Sequence, residues 1–574
     1  MFDLSLSCND FQHQIRYTIN GNRPTSQSKL YTAPLTLDER QYSQSDIYTI
    51  VNCPEDEFYL ADSVRHCIVI RAAVFDENDS CISPVTTNSY FIRSLGCDTH
   101  GLPAVSLCAD SIGLFSYYSG IFIPGAWQSP SMPLWTGNYF NKGMEWERRC
   151  NVEFYEQNNT GINQEAGLRT HGGASRRYQQ KGMKIYAREE YGKKRFKHAF
   201  FDDTPINDIK HMVFKPFRCS NWLHTGFNDC LSNRIARKMN MEVQGSRIVA
   251  LYLNGEYWGI YFAEEKADER YLEDHYGLLP DSCTIIKKWN ELETGNDANW
   301  WQLYHWMEST DLSSNENYET LSSWIDIDNF IDYQIFQIFS ANVDWPANNV
   351  LCWQAMGSRW RWMFHDGDGC FFRDWDAFAN AVDVSDNINP SNAFSTLFFR
   401  RLLKNESFLE QFNGQFIYQM DQALDETRTL PIFYHIVATM QEEIPNQSER
   451  FMFPSSFERW QHDSQIVEEF LKTRKETVTQ QLAAFIQFYS GLDEAFSLMT
   501  EVYPNPFRDQ INLNVFAKKP FESRLCLYNM NGICVYQEHV NLPAGYSHIS
   551  FNPTVPSGLY FLRIGNTTAR VIKM

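Results

Sequence analysis

Asn342-Val-Asp-Trp-Pro-Ala-Asn-Asn349 is a polar, proline-containing loop that runs into the apolar segment Val350-Leu-Cys-Trp-Gln354. After a short break the chain continues as Trp360-Arg-Trp-Met-Phe364 and ends on Asp366-Gly-Asp-Gly369. The two β-branched and aromatic runs predict a hairpin, because such side chains suit a pleated, half-buried surface. A hairpin returns the chain to its start, so Asp344 and Asp366, which are 22 residues apart, are expected to share one side of it. Taken singly, Asp344 to Asn349 also suits an Asx-type turn, and Asp366 to Gly369 also suits a hairpin exit or a calcium loop.

Working outward, Gly167-Leu-Arg-Thr-His171 reads as a strand, Gly172-Gly173-Ala-Ser175 as a turn, and Lys181 to Ala187 as a second strand. Leu231, Ile235 and Met239 recur at helical spacing, so Phe227 to Met239 is expected to be a helix. Arg247 to Leu253 and Tyr257 to Phe262 flank Asn254-Gly255, the strongest hairpin signal in the chain. Helices follow, the clearest ending in Phe330 to Phe339, and lead into the Asn342 loop. This order of elements resembles that of a protein kinase.

Further phrases sharpen the resemblance. Gly167-Leu-Arg-Thr-His-Gly-Gly-Ala-Ser-Arg176, Gln180-Lys-Gly-Met-Lys184, Ala187-Arg188 with Tyr191-Gly192, Leu253-Asn-Gly-Glu-Tyr-Trp-Gly-Ile-Tyr261 with Glu265, and Phe364-His-Asp-Gly-Asp-Gly369 resemble the spore coat protein H (CotH) kinase family. The resemblance implies a secreted, atypical kinase that moves the γ-phosphate of ATP to Ser or Thr hydroxyls of a protein acceptor with Mg²⁺ or Mn²⁺. It implies Asp344 as the loop aspartate that orients the attacking hydroxyl, Lys181 as the catalytic, phosphate-neutralising lysine with Lys184 as its alternative, and Asp366, Asn349 and Asp368 as metal ligands. Gly172 and Gly173 would approach the phosphates, and Glu265 would lie near the adenine hinge. His-Arg-Asp and Asp-Phe-Gly are missing, Gly182 stands where the family commonly has serine, and Asp229 replaces the expected helix glutamate. His171 reads as structural rather than as a base.

The ends differ in character from the middle. Ile15-Arg-Tyr-Thr-Ile-Asn-Gly21, with Asn20-Gly21 read as a tight hairpin turn, Val64 to Phe75 and Thr86 to Ile92 predict a small β-sandwich. Ile15 to Thr25, Tyr31-Thr-Ala-Pro34 and Ile70 to Phe75 with Ser83-Pro84 and Tyr90 resemble the fibronectin-like domain at the C-terminus of chitobiases. Tyr503-Pro-Asn-Pro-Phe507, Tyr528-Asn-Met-Asn-Gly532, Pro543-Ala-Gly-Tyr546, Ser557-Gly-Leu-Tyr-Phe561 and the closing Ala569 to Met574 resemble the type A sorting domain of the Bacteroidetes type IX secretion system. The expected architecture is therefore multidomain: a β-sandwich over 1–95, a central α+β atypical protein-kinase-like fold over 96–495, and a second small all-β sandwich over 498–574. Export through the periplasm to the cell surface or medium is implied, with a leader upstream of Met1, since Asp3, Asp10 and Arg16 interrupt any signal-peptide core.

Composition limits the alternatives. The 574 residues are 43% hydrophobic, enough to bury cores, and 50 basic against 70 acidic residues leave a formal charge of -20. That balance disfavours nucleic acid and anionic membranes as partners, and no apolar run is long enough to span a bilayer. Fourteen cysteines, none in a CxxC pair, leave disulfide connectivity open. The 16 Trp and 29 Tyr admit a second function class, a non-catalytic surface adhesin or carbohydrate-binding protein with surface glycans as partners.

Overall fold

The computed structural model describes every residue except 1, 10–11, 38–45, 93–100, 158–160, 219–222, 374, 386–389, 491–496, 518–519, 531–532, 544 and 565–566. The boundaries expected near 95 and 495, and the Asn531-Gly532 turn, lie outside the described residues. The chain combines helices and sheets and divides into two compact units. The first comprises 1–310, 319–399 and 415–477, and the second 311–318, 400–414 and 478–574.

The first unit opens with the antiparallel sheet β2-β1-β3-β4, formed by β1 (Gln14–Thr18), β2 (Lys29–Leu30), β3 (Ile68–Phe75) and β4 (Thr86–Tyr90). Asn20-Gly21 is not the tight turn its sequence suggests, because β1 pairs Arg16 with Leu30 across a longer connection. Gly21 instead permits a close approach: a Cβ there would lie 2.4 Å from Asn254 Cγ. Its carbonyl accepts hydrogen bonds from the buried Arg71 Nη1 at 2.7 Å and from Cys108 Sγ at 3.3 Å.

Next comes a closed barrel of β5 (Ala104–Ala109), β6 (Arg148–Tyr155), β7 (Gly161–Thr170), β8 (Met183–Tyr186), β9 (His211–Pro216), β10 (Ser246–Leu253) and β11 (Glu256–Glu264). Around it the order is β8-β9-β11-β10-β5-β6-β7. Val105, Leu107 and Ala109, then Cys150, Val152 and Phe154, Met183 and Ile185, Met212 and Phe214, and Tyr261 and Ala263 all join one core. This period of two fills the barrel from alternate positions. The opposite parity sends Lys184, Lys215 and Glu264 to the outer face.

Helix α1 (Asn228–Lys238) follows β9, and α2 (Glu269–Tyr276) follows β11. A second sheet, ordered β13-β12-β14-β15, is built from β12 (Cys283–Lys287), β13 (Glu291–Thr294), β14 (Val350–Ala355) and β15 (Arg361–Phe364). The last two form the expected hairpin, pairing Val350 with Phe364 and Trp353 with Arg361. Helix α3 (Ile327–Phe339) is apolar on nearly all sides and buried accordingly. Arg474, from the long helix Phe457–Ser490, donates to the Phe339 and Ile338 carbonyls at 2.7 and 2.6 Å, so a cation closes the negative end of α3 where the Asn342 loop begins.

In the second unit, strands Ser497–Tyr503, Ile511–Ala517 and Gly545–Phe551 form one antiparallel sheet, and Phe521–Asn529, Cys534–Leu542, Gly558–Ile564 and Thr567–Lys573 form another. Ile511, Leu513, Val515, Leu525, Leu527, Leu562 and Ile564 pack into one core between them. The first strand stops at Tyr503, before the Pro504 and Pro506 that cannot donate to a ladder.

Candidate active site

A cleft of about 710 Å³ opens in the first unit, lined from the outer face of β9 and β11, the Gly172 turn, α1, the Asn342 loop and the loop after β15. Its centre is Lys215. The ammonium donates to Asp229 Oδ2 at 2.6 Å and to Asp366 Oδ1 at 2.7 Å, and Asp368 Oδ2 lies 3.1 Å away. Asp229 belongs to the first turn of α1, where the helix dipole favours an anion. Its other oxygen accepts from Gly367 N at 2.6 Å, tying helix and loop together.

The glycines of Asp366-Gly-Asp-Gly369 have a packing reason. A Cβ on Gly367 would lie 2.0 Å from Ser232 Oγ, and one on Gly369 would lie 2.7 Å from Asn342 Oδ1 and 3.2 Å from Asp344 Oδ2. Only glycine lets this loop come so near α1 and the Asn342 loop. Backbone bonds complete the join: Val343 N donates to Gly369 O at 2.9 Å, and Asn349 Nδ2 donates to Asp366 O at 3.1 Å. Asp366 is left-handed at φ 58°, as is Asn349 at φ 54°.

The crowded carboxyls titrate unequally. Burial and then Asp366 push Asp344 up to about 6 against the pull of Lys215. Burial and the neighbouring Asp229 raise Glu264 well above its ordinary value, against the pull of Lys215. Burial opposes ionisation of Asp366 too, but Lys215 and His365 outweigh it and hold that carboxyl well below its ordinary value. Burial lowers the His365 imidazole to about 4. His171, which also lines the cleft, is lowered well below the usual range by burial and then by Lys184 and Lys266.

Asp344, Asn349, Asp366, Asp368, Gly172 and Gly173 are brought together on this cleft. Lys181, Lys184 and Glu265 are not among its lining. Lys181 is fully buried, donates to Tyr178 O at 2.9 Å and sits 4.3 Å over the Tyr139 ring. Lys184 turns to Asp268, 3.6 Å away. Glu265 accepts from Gly245 N at 2.7 Å and meets His275 Nε2 at 2.7 Å, clamping β10 to α2. Lys215, Lys266, Lys287 and Lys288 line the cleft, and of these Lys215 is the one that meets Asp229 of the helix and Asp366 of the loop, with Glu264 on the neighbouring strand. One signal pointed there: Lys215 lies on the last strand before α1, nearer the helix than Lys181 or Lys184. Gly182 also has a local cause, since a Cβ would lie 2.5 Å from the His171 carbonyl.

No curated protein matches the chain. Residues 4–90 match the family model described as Fn3 associated, and residues 501–574 match that of the secretion system C-terminal sorting domain. The chain thus carries a type IX sorting tail, which directs secretion and surface attachment. No described helix is long and apolar enough to cross a membrane. Residues 168–478, more than half of the chain and including the cleft's carboxylates and Lys215, match the model of the CotH kinase protein, and the chain belongs to that family.

Proposed function

We propose that the chain is an exported atypical kinase, built on a protein-kinase-like scaffold, that moves the γ-phosphate of ATP to a Ser or Thr hydroxyl of a protein acceptor. One observation carries this reading: Lys215 is gripped at once by Asp229 of the following helix and Asp366 of the loop beyond the hairpin, with Asp344 on the same cleft. Phosphoryl transfer depends on such fixed charges more than on covalent chemistry. Asp344 orients the acceptor hydroxyl and takes its proton as the new P–O bond forms and ADP leaves. Lys215 offers positive charge to the phosphates, and the Gly172-Gly173 turn offers backbone N–H groups. A Cβ on Gly173 would meet nothing within 4 Å, so the turn has room for a ligand.

The donor set also fits a divalent cation. Oxygens of Asp229, Asp366 and Asp368 lie within 4.8 Å of one another, and hard carboxylates whose combined charge exceeds that of Lys215 suit Mg²⁺ or Mn²⁺. Asp366 and Asp368 would hold the ion, with Asn349 fixing the Asp366 backbone, and the bound ion supplies charge to the phosphates.

The test is a thermal-shift titration of the full chain with ATP and Mn²⁺ or Mg²⁺, followed by transfer from γ-labelled ATP. A ligand at 100 times its Kd adds about 2.7 kcal/mol of stability, so binding should be plain in the melting curve. Metal-dependent stabilisation with labelled protein supports the reading. Neither stabilisation nor label overturns it and leaves a non-catalytic surface protein on the same scaffold.

The sorting tail makes a separate prediction. Removal of 501–574 is expected to strand the chain in the periplasm of its native host, as read by cell fractionation. A truncated chain reaching the surface at the normal level would show that the tail does not direct export.

A further inference from the structure

Between β5 and β6 the chain makes an excursion in which 31 consecutive residues, 111 to 141, include no Asp, Glu, Lys, Arg or His. Charged residues make up 21% of the whole sequence, so this is an abrupt change in surface chemistry. The excursion is nevertheless rich in rings turned to solvent: Tyr118 is 77% exposed, Tyr117 60%, Trp127 59% and Trp135 54%. Exposed apolar groups gathered in this way mark interaction surfaces.

The rings are held in place. Asn138 is buried, and its Nδ2 donates to Tyr117 O and Gly120 O, both at 3.0 Å, while its Oδ1 accepts from Trp127 N at 3.2 Å. Ala126 N donates to Tyr117 O at 2.9 Å, which binds the tyrosine and Trp127 segments to each other. Gly125 makes the crossing possible: its φ is +57°, and a Cβ would lie 2.2 Å from Asn138 Nδ2. Thr170 Oγ1 donates to Tyr139 O at 2.8 Å and fastens the whole to the barrel. Tyr117 and Tyr118 meet edge to face at 5.1 Å, and Trp127 meets Trp146 in the same way at 6.1 Å. Trp135, with the Arg177 guanidinium 4.8 Å over its ring, is also part of the cleft wall.

We propose that this platform binds a neutral polysaccharide at the mouth of the cleft. Aromatic faces stack on the C–H faces of sugar rings, and rings already fixed lose little conformational freedom on binding. The exposed Ser131 and the half-buried Gln128 and Thr136 offer neutral hydroxyl and amide groups. Within the 31 residues no side chain carries a formal charge to pair with an acidic or basic peptide or an anionic lipid, and the adjoining Arg177 is already engaged with Trp135. The platform adjoins the cleft through Trp135, while Tyr117, Tyr118 and Trp127 are not among the cleft's lining.

Affinity electrophoresis of the full chain tests it, in gels containing laminarin, mannan, xylan, starch or hydroxyethylcellulose, with alginate and phosphatidylcholine vesicles as competing ligands. At least one neutral polysaccharide should retard the chain, and Tyr118→Ala with Trp127→Ala should weaken that by about tenfold or more, as expected for exposed aromatic anchors. Trp135→Ala should weaken it and Trp135→Phe should restore it, with melting temperatures unchanged because the rings are exposed. The proposal is overturned if no neutral polysaccharide retards the chain, if the double variant is retarded like wild type, or if alginate or the vesicles bind in preference.

Discussion

Asp344→Asn is expected to cut phosphoryl transfer by about 10²–10⁴-fold while leaving metal-dependent nucleotide binding intact, because it removes the proton acceptor and little else. The same change should stabilise the metal-free protein at neutral pH. Burial and Asp366 raise Asp344 to about 6, above its ordinary 3.8. The folded state therefore holds a proton that the unfolded chain has already released, and stability falls as pH rises between these values. Below the unfolded value of 3.8 both states become protonated and the penalty fades. Asparagine is neutral throughout, so its gain in melting temperature should be large at pH 7.5 and much smaller at pH 4, on the order of 2 °C for each kcal/mol relieved. Scanning calorimetry at the two pH values, with a transfer assay on the same sample, decides the matter. An equal gain at both pH values, or retained transfer, would refute the assignment of Asp344.

A second large effect is expected at Lys215. Lys215→Ala leaves Asp229, Asp366 and Asp368 without their cation, and breaking a buried pair such as Lys215–Asp229 costs about 3–5 kcal/mol. Nucleotide binding should be lost. Added Mn²⁺ should raise the melting temperature of this variant more than that of wild type, because an ion can then neutralise the unpaired cluster of carboxylates. Lys181→Met is the control. Burial lowers the Lys181 ammonium to about 7, so charging it in the fold carries a penalty that is complete below pH 7 and absent above the unfolded value of 10.5. Methionine removes that penalty, and the variant should melt no lower than wild type at pH 6 and bind nucleotide normally. Loss of nucleotide binding in Lys181→Met, with binding kept in Lys215→Ala, would return the role to Lys181.

These two lysines show how far a linear reading reaches. Several lysines precede helix α1, and spacing cannot tell which side chain faces the cleft. Strand parity can, once the register is known: Met212 and Phe214 fill the barrel, so Lys215 must point outward, and Glu264 on the neighbouring strand does the same. Lys181 lies before β8 rather than within it, and its ammonium finds Tyr178 O under Tyr139. Glu265, one residue beyond the end of β11, is directed into a structural clamp for the same geometric reason. Asn20-Gly21 has the composition of a hairpin turn, yet Gly21 serves a contact with Asn254, more than two hundred residues away, which no local rule can anticipate.

Local chemistry was enough for the elements whose signals are short-range. The Asn254-Gly255 hairpin, the Val350 to Phe364 hairpin, helix α1 and the halt of a strand before Pro504 all follow from turn residues, periodicity and missing donors, and each forms as its own residues require. The gathering of Asp344 with Asp366 also followed, because a hairpin between two loops must bring them back together. Tertiary structure alone decided which lysine meets the carboxylates, the pairing of Asp229 with it, the upward shift of Glu264 and the fixed aromatic platform. Each of these depends on barrel closure and on burial, which set side-chain direction and dielectric environment through contacts between residues far apart in the chain.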